Sequence, residues 1–84
     1  MKILGQDKVE AFKRKHPTSR KPLAKWDTLV AKAAWENFAK LKETFNTADY
    51  FDGKTVFNIG GNKYRLIAVV QYAVGVVIVT CSHP

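Results

Sequence analysis

Cysteine and histidine are scarce in this chain of 84 residues, and their scarcity excludes several classes of protein. Cys81 is the only cysteine, so no internal disulfide can form and an oxidising compartment is not indicated. The two histidines, His16 and His83, lie far apart in sequence and have no neighbours at the spacing of metal ligands. We therefore predict no metal site and no cofactor.

Long apolar segments are also missing. The apolar run over residues 66–81 is interrupted by Gln71, Tyr72 and Gly75, so it predicts two strands and a turn rather than a membrane-spanning helix. Residues 1–7 lack the apolar core of a signal peptide. These features predict a cytoplasmic protein with no membrane partner.

Acidic residues are few, which leaves the chain strongly basic. Asp and Glu number 7 against 14 Lys and Arg, for a formal net charge of +7 at pH 7. Such an excess favours a polyanionic or acidic partner, nucleic acid above all. The apolar content of 46% is enough for a core, and the length predicts a single domain over residues 1–84.

The first half of the chain has helical periodicity. Apolar spacing predicts helices over residues 7–15, 19–34 and 37–45, with Pro17 ending the first helix and Pro22 in the first turn of the second. Thr18 and Ser19 are candidate caps for the second helix, and Asn37 for the third. The two tryptophans, Trp26 and Trp35, are expected in the core.

The second half has strand periodicity. Residues 46–53 are predicted to turn the chain, and residues 56–59, 63–70 and 76–81 are predicted strands. Helices followed by strands with short connections predict an α+β fold, in which N-terminal helices pack on one face of a small antiparallel sheet.

Two of these strands form a predicted hairpin around Gly61-Asn62, whose residues tolerate the positive φ of a primed turn. With that turn, Asn58 faces Arg65 across the strands. The more aromatic face, with Phe57, Ile59, Tyr64 and Leu66, is expected to meet the helices, which leaves Asn58 and Arg65 on an open face. Arg65 is a lone charge among apolar residues, and its planar donors suit a phosphate.

A basic cluster is predicted where the first two helices meet. It has two interpretations: a track for a phosphate backbone, or a solvated surface whose cations lie near a helix C-terminus. Its members are Lys13, Arg14, Lys15, His16, Arg20 and Lys21.

These residues resemble a known family. The segment over residues 56–66 resembles the central signature of HigB-type toxins of the RelE/ParE superfamily, residues 9–17 resemble the family's first helix, and Ala33-Ala34-Trp35 resembles the end of its second. The resemblance implies a RelE-like fold and the toxin of a type II toxin–antitoxin pair. It also implies cleavage of mRNA on the ribosome and neutralisation by a helix-turn-helix, HigA-like antitoxin.

The same resemblance suggests site residues. Arg65 falls on the strand arginine that superfamily nucleases use near the scissile phosphate, Asn58 falls where relatives often carry lysine, and His83 is a displaced counterpart of a C-terminal histidine. The implied chemistry is metal-free attack of a ribose 2′-hydroxyl on the adjacent phosphate, with basic side chains stabilising charge. Lys54 and Lys63 either supply such charge to RNA or are ordinary solvated lysines.

The C-terminus departs from the family pattern. Relatives continue with a segment that contains tyrosine, whereas this sequence ends at Ser82-His83-Pro84. The expected protein is therefore an mRNA interferase attenuated at its C-terminus. The alternative is a non-catalytic module of the same fold that binds RNA or antitoxin, and His83 is then a frayed terminal residue. Gyrase inhibition, as in ParE-like relatives, is less favoured because the hairpin matches HigB better.

Overall fold

Three helices cover one face of a mixed sheet. The computed structural model describes residues 1–61 and 63–83. In chain order they are β1 (Lys2–Leu4), α1 (Gln6–Lys15), a 3₁₀ turn (Pro17–Ser19), α2 (Arg20–Lys32), α3 (Phe38–Thr44), β2 (Asp49–Phe51), β3 (Lys54–Ile59), β4 (Tyr64–Gln71) and β5 (Val76–His83).

The helix α1 starts one residue earlier than predicted and buries Val9 and Phe12, which lie three apart on one face. Gly5 precedes it with a φ of 88°. A Cβ on Gly5 would lie 2.7 Å from the carbonyl oxygen of Val79, too close for any side chain. Glycine is therefore required at this turn from β1 into the helix.

The start of α2 corrects the predicted capping. Ser19 stands at the N-cap position, but its hydroxyl donates to the His16 carbonyl at 2.6 Å and does not cap α2. Thr18 instead hydrogen-bonds the hydroxyl of Tyr64 on β4. The helix ends at Lys32, two residues before the predicted end.

The third helix has its predicted cap. The Asn37 side chain accepts from the backbone N–H of Lys40 at 3.0 Å, and α3 runs from Phe38 to Thr44.

The strand order is β1-β5-β4-β3-β2. The α+β class and the three longer strands are confirmed. The sheet is mixed rather than purely antiparallel as predicted, because β1 pairs with β5 in parallel. Two edge strands were also missed: β1, and β2, which falls in the segment predicted as a turn. Each has three residues, too few to show an alternating pattern.

The hairpin register is the predicted one where the structure describes it. Phe57 pairs with Leu66, Asn58 with Arg65 and Ile59 with Tyr64. Asn62, in the predicted turn centre, lies outside the described residues. The helix-facing residues Phe57, Ile59 and Leu66 are buried, as expected for the more aromatic face.

An aromatic cluster fills the space between helices and sheet. The Phe57 ring meets Trp26 of α2 edge-to-face at a centroid distance of 5.5 Å, and it meets Phe45 at 5.1 Å. Phe45 in turn contacts Trp35 at 5.8 Å. Both tryptophans are buried, which confirms their predicted core role.

Among the described residues, every helix is too short or too polar to cross a lipid bilayer.

Replacing Phe57 with alanine should destabilise the fold strongly. Phe57 is fully buried between Trp26 and Phe45, so the variant leaves a cavity and should lose about 3–5 kcal/mol of unfolding free energy. Urea denaturation measures the loss. Val74→Ala is the control, because Val74 is 71% exposed and should change stability by less than about 0.5 kcal/mol. Equal midpoints for the two variants would contradict the packing of Phe57 in the core.

Candidate active site

Three strands bring the predicted catalytic residues into one row. Asn58 of β3 pairs with Arg65 of β4, and Arg65 pairs with His83 of β5. Directly paired residues project from the same face of a sheet, and neighbouring strands lie about 4.8 Å apart. Since Phe57 and Leu66 next to them are buried under the helices, the row Asn58–Arg65–His83 lies on the face away from the helices.

An irregularity in β5 brings His83 into this row. Ala68 pairs with Val79, whereas Ile67 pairs with Cys81, so Thr80 is an extra residue in the β4–β5 ladder. Without it, Ser82 would face Arg65 and His83 would lie beyond the row. The Thr80 hydroxyl donates to the Ile67 carbonyl at 3.0 Å and thereby holds the bulge in place.

The Arg65 side chain is exposed. The salt bridges within the described residues are Lys13 with Glu10 at 3.3 Å and Lys40 with Glu43 at 3.6 Å, and both lie on helices. The guanidinium of Arg65 therefore presents its planar donors to solvent without a carboxylate partner in that part of the chain.

His83 is the last residue of β5 and pairs in the ladder, rather than fraying. Its Nε2 lies 3.6 Å from the Sγ of Cys81, two residues earlier on the same face. This contact orients the imidazole ring and leaves Nδ1 for another partner. Sequence reasoning missed Cys81 and Thr80 as supports of the site, because a bulge has no reliable local signal in a single sequence.

The Asn58 side chain has a structural task. Its Nδ2 donates to the carbonyl oxygen of Thr47 at 3.0 Å, across the edge of β3. The bond ties the loop between α3 and β2 to the row. Asn58 therefore contributes to the shape of this face through the loop that it holds.

The two candidate lysines of the second half lie at different distances from the row. Lys54 begins β3 and shares the face of Asn58, four residues away, which corresponds to about 13 Å along a strand. Lys63 lies beside the hairpin turn and is exposed, two residues before Arg65. Lys63 is thus the nearer of the two along the chain.

The basic cluster lies on the helix side of the sheet, at the same end as the row. Tyr64, next to Arg65, contacts the His16 ring at a centroid distance of 5.6 Å, and its hydroxyl bonds Thr18. The basic cluster and the row therefore lie on opposite faces of the sheet, and they approach each other around the end of β4. Its candidate RNA-binding members are Lys13, Arg14, Arg20 and Lys21; Lys13 is partly engaged by Glu10.

Residues 1–61 and 63–83 contain no group of three or more His, Cys, Asp or Glu side chains arranged to hold a metal ion.

The fold and the row define a small basic α+β domain with an arginine and a histidine side by side on an open sheet face. The family model of HigB toxins, described as the RelE-like toxic component of a toxin–antitoxin system, matches residues 19–82. The chain belongs to this family. A toxin of such a system implies an antitoxin partner.

Individual relatives agree with the family. The chain is 30% identical over 75 residues to the mRNA interferase toxin HigB of Escherichia coli K12, covering 86% of this chain and 72% of the relative. The same identity and coverage hold for proteins named mRNA interferase HigB from Escherichia coli O157:H7 and Shigella flexneri.

The bulge at Thr80 can be tested directly. Thr80→Val keeps the side-chain shape but removes the hydrogen bond to Ile67, so stability should fall by about 0.5–1.5 kcal/mol. Amide hydrogen exchange at residues 81–83 should accelerate, because the bulge holds their pairing with β4. Thr28→Val is the control, since the exposed Thr28 hydroxyl bonds only its own helix at Ala24. Unchanged exchange in Thr80→Val would show that the hydroxyl does not hold the register.

Proposed function

We propose that this chain is an endoribonuclease that cleaves mRNA on the ribosome, in the cytoplasm, without a metal ion. We further propose that a small helix-turn-helix antitoxin of the HigA type neutralises it. The single observation that supports the proposal most is the row Asn58–Arg65–His83 on an open sheet face. The names of the relatives support the same activity.

The proposed reaction breaks one phosphodiester bond in the RNA. The ribose 2′-oxygen attacks the adjacent phosphorus, and the bond from phosphorus to the 5′-oxygen of the next nucleotide breaks. The products are a 2′,3′-cyclic phosphate and a 5′-hydroxyl. No redox change occurs, so the protein has to move protons and stabilise negative charge.

Arg65 stabilises the charge that develops on the phosphoryl oxygens. Its guanidinium is permanently protonated and presents a fork of donors that matches two phosphate oxygens. The exposed position lets it reach a substrate phosphate without first breaking a salt bridge with the described residues. A fixed donor at the position of developing charge lowers the barrier more than it tightens substrate binding.

His83 accepts the proton of the 2′-hydroxyl. Imidazole is the side chain best suited to take up a proton near neutral pH. In this role the Nε2–H of the ring donates to the Cys81 sulfur, so Nδ1 is the nitrogen that accepts the proton from the substrate. Water supplies the proton that the leaving 5′-oxygen takes up.

Asn58 is a positioning residue in this proposal. It holds the loop at Thr47 against the row through its amide, so the RNA meets a formed surface. The surrounding cations attract the RNA backbone and give binding that weakens as salt increases. They are Lys54 and Lys63 on the sheet side and Lys13, Arg14, Arg20 and Lys21 at the helix junction.

Arg65→Ala should abolish toxicity while the protein remains folded. Removing one charge-stabilising donor should lower the cleavage rate by about 100- to 1,000-fold, measured by primer extension on mRNA in a ribosome-containing translation reaction. Arg65→Lys should recover only part of the rate, because a single ammonium cannot match two oxygens. Cleavage by the wild type should persist in EDTA.

The matched control for charge is Lys42→Ala. Lys42 is exposed on α3, and its loss should leave cleavage and growth inhibition unchanged. If the wild type and Arg65→Ala are equally non-toxic and neither cleaves mRNA on ribosomes, the enzyme proposal is wrong. RNA binding without cleavage would then favour the non-catalytic binding module.

The proton role of His83 predicts a pH effect. His83→Gln should slow cleavage by about 100- to 10,000-fold and flatten the rise of the rate with pH, because glutamine cannot accept the proton. Single-turnover rates between pH 5 and pH 9 measure this. His16→Gln is the control, since the His16 ring packs against Phe12 and Tyr64 on the helix side. If His83→Gln keeps the wild-type dependence of the cleavage rate on pH, His83 is not the proton acceptor.

A further inference from the structure

A cavity of about 400 Å³ opens beside the row, at the edge of β3. Residues of α2, of the loop after α3 and of the β3–β4 turn form its walls. They are Pro22, Lys25, Trp26, Leu29, Thr44, Phe45, Asn46, Thr47, Asn58, Ile59, Gly60 and Gly61. Its volume is within the range of sites for small organic molecules.

The cavity exists because β2 is short. β2 pairs only with residues 54–56 of β3, so the following part of β3, with Asn58 and Ile59, has no strand partner on that side within the described residues. An uncovered strand edge presents backbone N–H and C=O groups. Here that edge is part of a cavity wall, where these groups can meet a ligand.

A buried donor in the same wall lacks a partner. The Trp26 side chain is 1% exposed, and its indole Nε1 has no hydrogen-bond partner within the described residues. Buried polar groups are nearly always satisfied, so such a donor needs an explanation. The indole of Trp35, by contrast, donates to the Thr44 hydroxyl at 3.2 Å.

The remaining walls suit a flat, polar-edged molecule. Pro22, Leu29 and Phe45 give apolar surface, whereas the Lys25 ammonium and the Asn46 amide provide polar groups. A nucleobase has this combination: apolar faces, and an edge of donors and acceptors. A purely aliphatic ligand would leave the backbone groups of the β3 edge unsatisfied.

The cavity and the row share one residue, Asn58. This residue lines the cavity and also pairs with Arg65 on the neighbouring strand. The cavity wall at Asn58 thus lies one strand spacing, about 5 Å, from the strand that carries the arginine. We propose that it binds one nucleobase of the RNA whose phosphate lies at Arg65, an inference that rests on the proposed function for the source of the base.

The test uses the two indole N–H signals of ¹⁵N-labelled protein. Titration with each of the four nucleoside 3′-monophosphates should shift the Trp26 signal saturably for at least one base, with a smaller change at Trp35. Ribose 5-phosphate and inorganic phosphate should leave Trp26 unshifted, because they lack a base. Equal shifts with ribose 5-phosphate would overturn base recognition.

A variant that fills the cavity gives the second measurement. Leu29 is half-buried in the cavity wall, and Leu29→Phe should weaken nucleotide binding at Trp26 at least tenfold and alter base preference in RNA cleavage. Thr28→Phe is the control, because it adds the same ring at the exposed neighbouring position of α2. Thermal melting verifies that both variants are folded.

The outcomes separate this inference from the proposed function. If the wild type cleaves RNA but no nucleotide shifts Trp26, and Leu29→Phe keeps the wild-type base preference, the cavity is not a base site. If nucleotides shift the Trp26 indole signal in a protein that cleaves no RNA, the base site is supported and the enzyme proposal is wrong.

Discussion

The register of the β3–β4 hairpin is the constraint on which the rest of this structure depends. Side chains of a strand alternate between faces, so a shift of one residue would exchange the core face for the open face. With Phe57 opposite Leu66, both are buried under the helices, and Arg65 must then face solvent beside Asn58. Burial of the aromatic cluster at Phe57 thus fixes where the arginine lies.

The bulge at Thr80 extends this constraint to the third strand. β5 follows the alternation of β4 up to Val79, and the extra residue then resets the pairing so that His83 reaches Arg65. A hydroxyl bonded to the Ile67 carbonyl stabilises the irregularity. The position of the histidine therefore depends on a structural detail two strands away from Asn58.

The distribution of charge follows from the same architecture. The helix-side residues of the sheet pack in the core, so the cations lie on the open face, at the turns and on the outer surfaces of the helices. Like charges held close together cost stability, which the buried core has to offset. A polyanion bound across these surfaces relieves the repulsion, consistent with the proposed RNA substrate.

How much of the site sequence reasoning could predict depended on how local its determinants are. Asn58 and Arg65 were paired correctly because the register of a hairpin is set locally, over the few residues that join two consecutive strands. His83 was suggested only by resemblance, since its pairing with Arg65 needs a bulge in the following strand. The cavity at Trp26 was not predicted at all, because its walls come from three segments that are separate in sequence: α2, the loop after α3 and the β3–β4 turn.

The sequence by itself determined the helix faces, the Asn37 cap, the three longer strands and the net charge of +7, since each is set by spacing or composition within a short segment. Only the tertiary structure decided the parallel pairing of β1 with β5, the edge strand β2 and the row that includes His83. The physical reason is twofold. The pairings of β1 and of His83 join residues that are distant in sequence, and β2 is too short to show an alternating pattern.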